Sequence, residues 1–398
     1  VKRAILVLTV SLLATATMAR EPRKDQLTGR IRVLYIGDAW GPTPFFHIEA
    51  EPSFAATPVP ATYAHIGTYG DRQLRQFMRI YMPRTFGEFT ASYDLVILSD
   101  TNRGLFISEQ LQWFKQGVQK EGVGLMMVGG IEAFGGSGYP TWGGSAVEES
   151  LPVFCVDGQT FGKDFKVRVN YPDDPFIKSL PWRTMPFFHG MNVVIAKEGS
   201  RVLLGADLPP NHPVLVYWEF GNGSSLAHAP DWTPAWGSSI MYYWDYYSDY
   251  IANLNYLTAG TGIPQDPELM HRIRNGFRDY ALNRALSVSL MEFVEKFGAK
   301  ISLGEEHLSR IGSAEKRAEE LYIAQAYDEA LAVLDGIKEE FEALSLELID
   351  LKDKALLWIY IAEWSAVSGT AVACGVVLWT LMIRRRLYRE VGTTRAQL

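Results

Sequence analysis

Four carboxylates, one histidine and a set of aromatic residues in this 398-residue sequence have the types and settings that chemistry needs. Glu132 follows Gly129-Gly130-Ile131 at the end of a short apolar run, residues 123–128. A sharp turn after a buried strand, with glycines clearing space at its apex, is the setting that lifts a nucleophile above a parallel sheet. The apex here is Ile131, or Glu132 if the register slips by one. Isoleucine offers no nucleophilic atom. Glu132 could act as a general base or a ligand group, or it could cap a helix N-terminus, where a carboxylate is favoured. Asp38 in IGDAW, and Asp100 and Asn102 in SDTN, end other apolar runs. They could face a ligand or cap the helices that follow. His228 and Asp231 in HAPDW could be a base and its orienter, or a structural hydrogen bond. Tyr139, Trp142, Trp232 and Trp236 could floor a sugar-binding cleft, although about half of such residues pack loops instead. His189 in FFHG reads as a loop histidine. The histidines and acids show no metal-ligand spacing, and no cofactor is expected.

These residues need a frame. Residues 31–36 (IRVLYI), 93–98 (YDLVIL) and 123–128 read as strands buried on both faces. Residues 41–60, rich in Pro and aromatics, read as a loop. Ser108 is expected to cap a helix whose apolar face is Leu111, Phe114 and Val118. Strands alternating with helices indicate an α/β fold, a flavodoxin-like doubly wound parallel sheet, with ligands at the strands' carboxyl ends. Residues 165–169, 192–195, 202–204, 214–220 and 225–227 add β-like segments. A helix crowded with aromatics, residues 242–257, closes the domain, set at 30–262.

Beyond Pro267, the last proline, the sequence reads as helix. Ile273, Phe277, Tyr280, Val288, Met291 and Val294 outline one face. Ala330, Leu334, Ile337, Phe341, Leu344, Leu348, Leu351 and Ala355 form a heptad seam. The seam belongs to a helical stalk at 265–358, and an intrachain bundle with the preceding helices is the favoured cover for it.

Both ends are apolar. Val1-Lys2-Arg3 and the run after them resemble a signal peptide over residues 1–19, cleaved after Ala16 or Ala19. Residues 364–383, from Trp364 to Ile383, carry no charge and are long enough to cross a bilayer. Arg384-Arg385-Arg386 follow at once, which puts residues 384–398 in the cytoplasm and the body outside. A lipid bilayer is therefore an expected partner, with a cell-surface glycan or another membrane protein as a further one. The net charge of −7 argues against nucleic acid. Cys155 and Cys374 have no evident disulfide partner, and Cys155 reads as a small core residue.

Several pieces together resemble the class I glutamine amidotransferase-like superfamily, in its branch related to trehalose-utilisation proteins. They are RVLYIGDAW, YDLVILSD, GLMMVGGIEAFGGSGY, DDPFIKSLPW, FFHGMNVV and PVLVYWEFGNGSSLAHAPDWTPAWG, spread over residues 31–260. The resemblance implies the fold. It also implies an elbow Cys with a His and Glu beyond the last strand. Ile131 stands at the Cys position, and the spacing of His228 and Asp231 departs from the family's His-Pro-Glu. The expectation is a ligand-binding or protein-interaction module, the alternative a divergent hydrolase of a carbohydrate or peptide-like substrate.

Overall fold

The computed structural model describes residues 22–39, 44–62, 69–234, 236–238, 240–264, 266–296 and 301–395. The expected signal segment, residues 1–19, lies outside them. The chain divides into two compact units, Val1–Pro267 and Glu268–Leu398.

In the first unit β1 (Ile31–Gly37), α1 (Pro44–Glu49), β2 (Phe54–Pro60), α2 (Asp71–Tyr81), α3 (Phe86–Ser92), β3 (Leu95–Ser99), α4 (Ser108–Gln116) and β4 (Gly124–Val128) come first. Then follow α5 (Ala146–Ser150), β5 (Val153–Phe161), β6 (Val167–Val169), α6 (Pro175–Lys178), β7 (Met191–Ala196), β8 (Arg201–Ala206), β9 (Pro213–Phe220), β10 (Gly223–His228) and α7 (Tyr247–Thr258). Eight strands form one sheet in the order β2-β1-β3-β4-β10-β9-β8-β6, and β5 pairs with β7 separately. The first five strands are parallel, whereas β9, β8 and β6 each run antiparallel to the strand before. The expected parallel sheet is thus a mostly parallel mixed one. Its parallel part keeps the doubly wound pattern, because the chain leaves β1 for β2 on one side and returns to β3 on the other. Crevices at such a reversal are where ligands bind.

Every residue of β3 and β4 is buried, as helix-covered parallel strands require. Arg32 and Asp94 fix the approach of β1 to the start of β3. The guanidinium grips the buried carboxylate with two bonds, at 2.9 and 2.8 Å. The register sets Gly37 level with Ser99, Ser99 with Val128, and Val128 with His228. Asp38, Asp100, Gly129 and Ala229 therefore begin one shared rim.

Three local expectations need correction. Residues 54–60, read as loop, form β2 at the sheet edge, where prolines cost least because no outer neighbour needs their N–H. Ser108 is the first residue of α4, not its cap; the backbone N–H of Ile107 is taken by the Gln110 side chain at 3.1 Å. No helix follows the turn at Gly129–Glu132. Gly130 has φ +149° and Gly136 φ +65°, the Gly136 and Ser137 amides bond back to Ala133 and Ile131, and the next helix waits until Ala146.

The second unit contains α8 (Pro267–Glu295), α9 (Ser302–Ile323) and α10 (Tyr327–Arg395). Ile273, Phe277 and Met291 of α8, Ile311, Ala318 and Tyr322 of α9, and the α10 seam share one core. Ala330, Leu334, Ile337, Phe341, Leu344, Leu348 and Ala355 are buried and Leu351 is partly so. Within the chain, α8 and α9 cover the seam. Val288, expected on the inner face of α8, is exposed, and Ser287 is buried instead. The helical period through Met291 and Val294 falls on position 287 rather than 288. Further along, α10 is long and apolar enough to cross a membrane, and none of its apolar stretch is buried against protein.

Candidate functional site

The rim of the sheet carries the chemistry. Asp38 leaves β1, Asp100 leaves β3, and Asp231 lies three residues beyond β10; all three are buried, and so is Glu132. Asp100 adopts a left-handed conformation at φ +41°, which Asp tolerates better than most residues. Its carboxylate accepts the Glu132 backbone N–H at 2.7 Å. A Cβ on Gly130 would come within 2.2 Å of the Asp100 carboxyl, so the turn needs glycine there for space as well as conformation. Glu132 accepts a hydrogen bond from the Thr62 hydroxyl at 2.7 Å. Asp38 accepts one from Tyr35 at 2.7 Å through Oδ1, while its Oδ2 is buried with no hydrogen-bond partner. Asp231 folds its own loop, accepting the Thr233 backbone N–H at 2.7 Å and the Thr233 hydroxyl.

Burial dominates the electrostatics of this group. Burial, then the charge of Asp231, pushes Asp38 up to about 8, so its carboxyl keeps a proton at neutral pH. Burial alone raises Asp231 to about 6 against the pull of its bonds to Thr233. Asp100 is held well above the usual carboxylate range by burial and then by Asp231, Asp38 and Glu132. No arginine or lysine figures among the leading influences on these three acids.

His228 and Asp231 do not form a base and orienter. The imidazole Nδ1–H donates to the Pro230 carbonyl at 2.7 Å, and Nε2 therefore accepts from the Tyr250 hydroxyl. Burial lowers the ring to about 4, so it stays neutral, boxed by Phe188, Trp232 and Tyr250. This histidine is a satisfied core residue. Trp142 and Trp232 are fully buried, their indole N–H groups donating to the Thr101 carbonyl and the Ser99 hydroxyl. Neither can stack on a ligand. Trp232 instead lies parallel to Tyr35 at 6.3 Å and packs the rim. Trp236 is half-buried beside Gly190, and His189 pairs with Asp164 at 2.8 Å on the surface. Cys155 is half-buried, its thiol pushed up by burial.

The turn itself is closed from within. Gly129 N–H donates to the His228 carbonyl at 2.8 Å and to Pro230 at 3.1 Å. Gly130 is clamped on both sides by the Asn192 amide, whose Oδ1 accepts its N–H at 3.0 Å while Nδ2 donates to its carbonyl at 3.1 Å. With the Glu132 N–H on Asp100, three backbone donors that could hold an oxyanion are already engaged. Ile131, the apex, is 41% exposed.

Tyr139 and Asn102 do come together. They line a cleft of about 490 Å³ with Tyr69, Gly70, Asp71, Arg75, Gly104 and Pro140. The Asn102 side chain turns the loop, accepting the Gly104 N–H at 2.7 Å. The Tyr139 phenol is raised by burial and then by Glu132 and Asp100, although none of the four rim acids lines the cleft. Among the described residues no three of His, Cys, Asp and Glu converge as ligands of one metal ion. Asn192, Thr62, Tyr35, Tyr69 and Tyr250 were not singled out from sequence. Asn192 lies in the FFHGMNVV piece, the one signal that could have found it; Tyr250 carries no mark that pairs it with a histidine 22 positions earlier.

Residues 81–259 match the family described as putative glutamine amidotransferase. A cytoplasmic protein from Salmonella typhimurium is similar in structure, with 22% identity and a TM-score of 0.48, covering 57% of this chain and 99% of its own. A second, from Salmonella typhimurium LT2, shows 20% identity and the same coverage and score. A putative ThuA-like protein from Bacteroides uniformis is 10% identical, with a TM-score of 0.32, covering 61% of this chain and 95% of its own. No curated protein matches the chain.

Proposed function

We propose that the first unit is a non-catalytic ligand-binding or protein-interaction module on an amidotransferase-like frame, displayed outside the cytoplasm and tethered to a membrane by α10. One observation carries the first part. The turn that would present a nucleophile has isoleucine at its apex and three of its backbone donors engaged by Asn192, Asp100 and the β10 loop. Covalent acyl transfer needs both a nucleophile beside a base and free donors for the oxyanion. His228 has no nitrogen to spare for the base. The cleft at Tyr69, Tyr139 and Asn102 is where a ligand would sit, and a glycan or the surface of another membrane protein is the kind of partner it suits. Support for the tether comes from the uncharged residues 364–383, the arginines after them and their exposure in α10.

A divergent hydrolase is the second reading, favoured by two buried acids at the same rim, Asp38 and Asp231, each raised chiefly by burial. Calorimetry of the full chain in nanodiscs against a panel of glycans and hydrolase substrates separates the two. Saturable binding heat without product supports the module; sustained heat with product, lost in Asp38→Asn, supports the hydrolase. Protease added to intact cells is expected to remove the body and leave a small C-terminal fragment, and full protection of the body would reverse the placement.

A further inference from the structure

Beside the tyrosine cleft lies a second one, of about 650 Å³, walled by α2 and α4. Arg75 lines both. The floor of the second is apolar. Met78 of α2, Met82 just past it, Leu105 in the turn before α4 and Trp113 of α4 are all nearly buried there. Ile107 forms a lip, 59% exposed. The rim is basic: Arg75, Arg79 and Arg84 stand on it, with Glu109 the one acid in the lining. Residues 71–84 hold four arginines against one aspartate, in a chain whose net charge is −7. Arg75 is tied to Asp71 at 3.0 Å. Arg79 donates to the Arg75 carbonyl at 3.3 Å, and neither Arg79 nor Arg84 makes an ion pair with any described residue.

We propose that this groove docks an acidic amphipathic helix of a partner protein, its apolar face on Met78, Met82, Leu105 and Ile107 and its carboxylates on Arg79 and Arg84. Charge selects the occupant, because a guanidinium without an internal partner is matched best by a carboxylate, which takes two of its N–H groups at once. The floor selects the helix. Apolar anchors at i, i+3, i+4 and i+7 fill such a groove, and methionines adapt to the shapes that enter. Carboxylates three or four residues apart on a helix recur at about 5–6 Å, which is also the step of about 6 Å that one turn of α2 sets between Arg75 and Arg79. A wholly polar polyanion would satisfy the arginines and leave the apolar floor in water. The groove is a second site, and nothing in it depends on what the tyrosine cleft binds.

The test selects a displayed library of random peptides, each of about 16 residues so that a helix can form on binding, against the full chain in nanodiscs of neutral lipid. The expected winners carry apolar residues at helical spacing flanked by Glu or Asp. The best of them, resynthesised, is expected to bind the double variant Arg79→Gln, Arg84→Gln at least about tenfold more weakly, the worth of one charge-assisted hydrogen bond. Replacing its own Glu residues by Gln should cost a similar factor. Both substituted side chains are exposed, and the Arg84 backbone N–H keeps its bond to Glu88, so the circular dichroism should not change. Should the double variant fail to fold, Arg79→Gln alone decides. Basic or neutral winners, winners indifferent to the arginines, or no winners overturn the proposal. So does arginine-dependent binding of phosphatidylglycerol vesicles or heparin in place of any acidic peptide, which gives the groove to a lipid surface or a polyanion. Arginine-dependent pairing of chains from separate nanodiscs would give it to a second copy and likewise overturn it. None of these outcomes touches sugar binding at Tyr139, so the two sites stand or fall separately.

Discussion

Asp38 is raised because its carboxyl is buried against another acid, and that has a measurable consequence for stability. Unfolded, the group ionises near its ordinary 3.8; folded, it holds its proton up to about 8. Between those values the folded state binds more protons than the unfolded state, so stability falls as pH rises through the window and levels off above it. The slope attributable to one such proton approaches about 1.4 kcal/mol per pH unit. Asp38→Asn removes the titrating group while retaining an acceptor for Tyr35. Its melting temperature is expected to exceed that of the wild type by a margin that grows from pH 5 to pH 8. A difference that stays constant across that range would mean that Asp38 ionises normally in the folded chain. At this scale the sequence exposed the acids, because they end apolar runs, but not their surroundings. Nothing in HAPDW tells that the histidine turns away from Asp231 toward Pro230 and Tyr250. For Trp232 the sequence leaves a cleft floor and loop packing both open, because burial of a tryptophan is a property of the whole rim and not of its neighbours in sequence.

Elements with strong periodicity were readable, and those shaped by backbone exceptions were not. The strands β1, β3 and β4 announce themselves as apolar runs, since helices cover both their faces. β2 hides because Pro58 and Pro60 look like loop residues, and only its edge position makes them acceptable. The turn after β4 was identified, yet its continuation as a helix was not realised, because Gly130 and Gly136 take conformations that end helical geometry. The α10 seam kept its 4-3 spacing and is buried as the spacing requires. Leu344 lies in the shared core of α8, α9 and α10. Leu344→Lys is expected to destabilise that bundle by about 3 kcal/mol or more, through lost packing and a buried charge. Thermal unfolding followed by circular dichroism in mild detergent measures it, with mass by light scattering. An unchanged mass is the expected accompaniment. A dimeric wild type that becomes monomeric with its helicity retained would assign the seam to a second chain instead.

For the molecule as a whole, an amidotransferase-like domain carries the sheet, the strand-end rim and the turn, and the proposed reading is that its chemistry is absent because the groups at that turn are replaced or occupied. Ile131 fills the apex, Asn192 and Asp100 engage the donors, and His228 serves the core. The alternation of apolar strands with helices and the six sequence pieces that resemble the superfamily point to the frame; the engaged donors depend on contacts across some 60 residues of chain, such as Asn192 to Gly130, and lie beyond any local pattern. On the proposed reading this frame does not attack an amide. Release of glutamate from glutamine by the purified full chain, measured against a protein-free blank, tests it most directly. The expected result is a rate equal to the blank, unchanged in Cys155→Ala. Glutamate released above the blank and abolished by Cys155→Ala or Glu132→Gln would contradict the claim.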